Sequence, residues 1–107
     1  MFEGMRQLGR RLAAAGQRRD KIPDDVQERL PLAAIDRVTF FKRDELSTDL
    51  ICCEVEVGGQ VWFFHEEAEG WETLVRYLEK LPGFRTDWYA SVVQPPFAAT
   101  ETVAFSR

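Results

Sequence analysis

The segment Leu50–Glu67, LICCEVEVGGQVWFFHEE, decides the fold, and it gathers both cysteines and the only histidine of the chain. Two runs rich in β-branched and aromatic residues flank Gly58-Gly59, and a diglycine between such runs is the signature of a two-residue hairpin turn. With those glycines at the corner, Val57 faces Gln60, Val55 faces Trp62, Cys53 faces Phe64 and Cys52 faces His65. Side chains alternate across a strand, so this register sorts the hairpin into two faces. Ile51, Cys53, Val55, Val57, Trp62 and Phe64 share one, nearly all apolar, which is predicted to face the core. Cys52, Glu54, Glu56, Val61, Phe63 and His65 share the other, a mixed surface.

Working outward, IDRVTFFK at 35–42 reads as a preceding strand and RDELSTD at 43–49 as a charged loop. After the hairpin, GWETLVRYLEKL at 70–81 places Trp71, Leu74, Val75, Leu78 and Leu81 on one helical stripe. Pro82-Gly83 stops that helix. The stripe and the apolar sheet face satisfy each other. The expected fold class is therefore α+β, an antiparallel sheet of at least three to four strands packed on one main amphipathic helix in two layers. Thr86 or Asp87 is placed to cap a short second helix through Val93. Pro95-Pro96 forces extended chain, and TVAFS at 102–106 reads as a last strand at a sheet edge. Near the start, Asp24-Asp25 after Pro23 opens a short helical turn that Pro31 ends.

Residues 1–22 form a separate unit in this reading, a basic arm that is helical or partly disordered, ahead of one domain at 23–107. Phe2, Met5, Leu8, Leu12 and Ala15 follow helical spacing, while Gly4, Gly9 and Gly16 weaken the helix. The arm carries six basic residues against Glu3 and Asp20, a net +4; the remainder carries eight basic and sixteen acidic residues, a net −8, and the two give the −4 of the chain. An acidic body repels phosphate backbones, so no nucleic-acid partner is expected. The arm suits an acidic partner, an anionic membrane surface, or simply rest on its own domain.

A chain of 107 residues with 45% hydrophobic content has enough material for one core without metal or disulfide support. Adjacent cysteines in a strand point to opposite faces and do not bridge, so both are expected as reduced thiols in the cytoplasm. No apolar run reaches membrane-spanning length and no targeting segment is evident.

The register brings Cys52 opposite His65, with Glu67 two residues further along. Thiol, imidazole and carboxylate on one surface have the composition of an activated nucleophile. Against that, Glu54, Glu56, Glu66 and Glu67 surround the thiol and disfavour a thiolate. A regular ladder also leaves no free N–H groups for an oxyanion. The same Cys52 and His65, with Glu67 or Glu54, are chemically competent zinc ligands, but without CxxC or a second histidine no metal or cofactor is expected. Glu66, Glu67 and Glu69 are accounted for by the helix that follows, whose N-terminus favours negative charge. Cys53 reads as a small buried hydrophobe. No phosphate loop, dinucleotide fingerprint or nucleophile elbow is present.

FKRD at 41–44, TDLICCEV at 48–55, HEEAEGWETL at 65–74 and PPFAATETVAF at 95–105 together resemble a group of small bacterial proteins without an assigned activity. The likeness spans about residues 32–107 and implies a bacterial cytoplasmic protein; it carries over no site residues. Three strands followed by a helix opening with Gly-Trp are also similar to the end of a pleckstrin-homology-type domain, although here a further strand follows the helix. The function expected is a non-enzymatic protein-interaction or regulatory module, with Val61, Phe63, Trp88 and Tyr89 as the candidate surface for a protein partner or a second copy. The alternatives are a thiol-dependent enzyme built on Cys52 and His65, and membrane-surface attachment through the arm.

Overall fold

A computed structural model describes residues 21–44, 49–93 and 100–107. Along the chain come α1 (Val26–Arg29), a 3-10 turn (Leu32–Ala34), β1 (Ile35–Asp44), β2 (Asp49–Val57), β3 (Gln60–His65), α2 (Trp71–Leu78), α3 (Trp88–Val93) and β4 (Thr100–Ser106). The strands make a four-stranded antiparallel sheet in the order β3-β2-β1-β4, so the fold is α+β. The basic arm up to residue 20, the loop at 45–48 and the Pro95-Pro96 stretch lie outside the described residues.

The hairpin has the register that its turn demands. Gly58 and Gly59 adopt φ of 56° and 85°, the pair of positive values that a type I′ corner requires. Val57 then pairs with Gln60, Val55 with Trp62, Cys53 with Phe64 and Cys52 with His65. The last strand lies at an edge beside β1. A bulge in that pairing skips Ala104, which lets Ala104 and Phe105 both turn inward.

The core sits on the face that carries Val38, Phe40, Ile51, Cys53, Val55 and Phe64, with Val57 and Trp62 half-buried at its margin. Phe40 is its hub. Its ring stacks on Trp88 at 3.7 Å and meets Trp71 and Phe84 edge-on, each at 6.2 Å. Cover over this face is shared: Val26 comes from α1, Leu74 and Leu78 from α2, and Trp88 and Val92 from α3. The stripe on α2 is as the sequence implies, but a helix of eight residues spans only about 12 Å. The ten residues of β1 run about 33 Å, so further cover is needed.

Tertiary hydrogen bonds tie these short pieces down. The Tyr77 hydroxyl on α2 donates to the carbonyl of Leu30 at 2.8 Å, which holds the end of α1. Arg107 donates to the carbonyls of Leu32, Ala33 and Ile35, closing the 3-10 turn over the end of the sheet. Lys42, two residues beyond Phe40, falls on the core face; it is buried, and its Nζ donates to the Val93 carbonyl at 2.8 Å. A cation there caps the C-terminal end of α3, where carbonyls lack helical partners. No described helix is long and apolar enough to cross a membrane.

Candidate functional site

The opposite face of the sheet carries the candidate residues. The pairings set them out in rows across β3, β2, β1 and β4: Val61, Glu56, Arg37 and Ser106; then Phe63, Glu54, Thr39 and Val103; then His65, Cys52, Phe41 and Glu101. Phe41, Leu50 and Cys52 form a second hydrophobic cluster with Phe63 packed against it. The rings continue along the face, with Phe63 6.1 Å from Phe41 and 6.2 Å from His65. The surface is therefore apolar in its middle and charged toward its margins.

This face is enclosed. Phe41 is 1%, Cys52 0% and Glu54 3% exposed, and Thr39, Leu50 and His65 are buried as well. None of the described helices takes part in the second cluster; their buried side chains belong to the first.

The structure brings Cys52 and His65 opposite each other but arranges them poorly for nucleophilic chemistry. His65 Nδ1 accepts the backbone N–H of Glu67 at 3.3 Å. That bond assigns the proton of a neutral imidazole to Nε2. Nε2 is buried and has no hydrogen-bond partner, so it does not accept the Cys52 thiol proton. The Cys52 thiol instead makes a long contact of 3.8 Å with the carbonyl of Leu50. Glu67 lies in the turn after β3 and is exposed, and it meets the ring through its backbone. A triad needs the acid to accept from Nδ1–H, and here Nδ1 is itself the acceptor. β2 is paired on both sides, so its backbone N–H groups serve the ladder.

Cys53 points the other way. Burial, and after it the neighbouring Cys52 and Glu54, hold its thiol well above the ordinary value. It is an inert part of the core. Among the described residues no three His, Cys, Asp or Glu side chains converge to hold a metal ion.

Of the four candidate surface residues, Val61 and Phe63 are half-buried on this second face, whereas Trp88 is buried on the core side against Phe40. Tyr89 turns outward, 57% exposed. It borders a shallow groove of about 290 Å³ between α2 and α3, lined also by Ile51, Trp71, Val75 and Glu79; Cys52 and His65 do not line it.

Two features escaped the sequence reading. Glu66 does more than complement the dipole of α2: its Oε2 accepts the Ile51 N–H at 2.9 Å, while its own N–H donates to the Ile51 carbonyl. The side chain thus completes the hairpin ladder one step past His65. The enclosure of Glu54 is the other. A glutamate alternating with cysteine and valine reads as a solvated position, and no local pattern announces a cover over it.

Comparison with protein-family models, with curated proteins and with solved structures finds no match for this chain.

Proposed function

We propose that the chain is a non-enzymatic protein-interaction module whose recognition surface is the second face of its sheet. One observation carries this reading: the second face has an apolar centre of Phe41, Leu50 and Cys52 bordered by the half-buried Phe63 and Val61, and no described helix packs on it. An apolar centre flanked by carboxylates suits an amphipathic segment that carries positive charge, as in helix-in-groove recognition. In this reading the helix side is the structural layer, with α2 as its main amphipathic helix, and the second face is kept for contact. The partner is a protein segment of that chemistry. Chemistry at the thiol has little support, because the imidazole beside it offers no free acceptor nitrogen.

The test uses a Cys53→Ser chain, in which Cys52 is the single thiol, with and without His65→Ala. Alkylation of Cys52 is expected to be slower than in the urea-unfolded chain by on the order of a hundredfold, reflecting its burial at the centre of that face. Its pH midpoint is expected to be the same in both proteins. A midpoint that moves when His65 is removed would restore a thiol–imidazole pair, and a freely reactive Cys52 would leave the face bare and the module reading without foundation.

A further inference from the structure

The helical layer has a feature that covering the core does not require. Phe40 draws Trp71 and Trp88 inward from α2 and α3. Between the two helices these residues, with Ile51, Val75 and Tyr89, line an apolar groove of about 290 Å³. Its walls are aromatic. Trp71 is half-buried, Tyr89 is largely exposed, and the Tyr89 and Trp88 rings stand 83° apart with centroids at 5.6 Å. Small-molecule pockets run to roughly 300–1,000 Å³, so this groove suits one long side chain rather than a cofactor.

The rim is acidic. Glu72, Arg76 and Glu79 follow one another along α2 and its C-terminal cap, and Glu66 joins them from the turn after β3. Three carboxylates against one guanidinium leave a net charge of −2 at the groove. Among the described residues neither Glu72 nor Glu79 forms an ion pair. The Glu66 carboxylate is fixed in advance, since its Oε2 accepts the Ile51 N–H at 2.9 Å. Glu79 sits where the last carbonyls of α2 add to the negative potential. Such a rim repels phosphates.

Aromatic walls below carboxylates recognise a delocalised cation, the rings by their quadrupole and the oxygens by charge and hydrogen bonding. An arginine side chain answers both. Its aliphatic stem suits Ile51 and Val75, and its planar guanidinium stacks on a ring while donating to two oxygens at once. A second hollow of about 340 Å³ adjoins the first at Trp71, shares Glu66 and Glu72 with it, and extends past Gly70 and Thr73 at the start of α2. There the backbone beside that arginine has room to continue.

We propose that the groove between α2 and α3 binds an arginine side chain from an extended segment of a partner protein, which runs on over the start of α2. The site is separate from the second face of the sheet, and neither Cys52 nor His65 lines it.

The probe is acetyl-Ala-Ala-Arg-Ala-Ala-amide, titrated into the full chain at low salt while the indole N–H resonances of the three tryptophans are followed by NMR. Trp71 and Trp88 are expected to shift with a Kd on the order of 1 mM, the strength of a cation–aromatic contact with exposed ion pairs. Trp62, outside the groove, is expected to stay in place. The same peptide with citrulline, uncharged and of the same shape, is expected to bind about tenfold more weakly or worse. Acetyl-arginine-amide, which lacks the flanking backbone, is expected to bind about threefold more weakly. Glu72→Gln with Glu79→Gln is expected to weaken the arginine peptide about fivefold, and Tyr89→Ala about threefold. All three side chains are exposed, so these variants keep the fold. Equal binding of the arginine and citrulline peptides, or binding indifferent to both variants, overturns the proposal. Acetyl-arginine-amide binding as tightly as the peptide assigns the groove to a small cation and overturns it as well. Indole shifts that follow protein concentration without peptide assign the groove to a second copy, with the same consequence. None of these outcomes bears on the second face, which is tested through Cys52.

Discussion

Cys52 and Cys53 are neighbours in the chain and occupy different environments because a strand alternates. Cys53 faces the core and holds its proton more tightly than a free thiol, chiefly because burial penalises the thiolate. The consequence for stability has a definite sign. Above the ordinary thiol value of 9.0 the unfolded chain loses a proton that the folded chain keeps. Stability from this group is therefore complete below that pH and declines above it. The urea midpoint is expected to fall more steeply between about pH 8 and 10 in the native sequence than in Cys53→Ala; parallel slopes would show that Cys53 is not the group responsible. His65 is constrained in another way. With Nδ1 accepting from the Glu67 backbone, the ring is oriented by the turn that ends the hairpin.

At the scale of elements, the hairpin owes its register to its corner. Gly58 and Gly59 both have positive φ, and an added Cβ at either would meet nothing within 4 Å. The cost of substitution there is consequently one of backbone conformation alone. Gly58→Asn is expected to change stability by less than about 0.5 kcal/mol, because asparagine tolerates the left-handed region. Gly59→Val is expected to cost about 2 kcal/mol, because a β-branched residue does not. Chemical denaturation of the two variants measures both, and equal losses would mean that the corner is held by its strands rather than by its glycines. The helices behave differently. Each has eight residues or fewer, below the length at which helices persist alone, so their stability comes from what they cover and from anchors such as Tyr77 and Lys42.

Across the whole molecule, the hub is the stack of Phe40 on Trp88, where β1, α2 and α3 meet. Trp88 and Tyr89 adjoin in sequence and read alike, yet one is enclosed and the other is 57% exposed. Trp88→Ala is expected to destabilise the fold by about 4 kcal/mol, the range for removing a large core aromatic. Tyr89→Ala is expected to cost less than about 1 kcal/mol, as for a largely exposed side chain whose ring meets only the edge-on contact with Trp88 at 5.6 Å. Thermal or urea unfolding followed by circular dichroism separates them; similar losses would place Tyr89 in the core.

Residues 50–78 were legible in the sequence because their constraints are local. A diglycine corner and a period of two assign every hairpin side chain to a face, and a period near 3.6 assigns the stripe of α2. The pairing of Cys52 with His65 followed from the same alternation, but its chemical value did not. The tautomer of His65, the ladder-closing carboxylate of Glu66 and the enclosure of Glu54 depend on where the backbone turns and on what covers it. Trp88 turning inward and Lys42 capping α3 through a partner 51 residues away are likewise non-local. Periodicity states which side of an element is apolar. Which element comes to lie on that side is decided by the competition among all the apolar faces of the chain for a limited area of sheet, and this is settled only when the chain is folded.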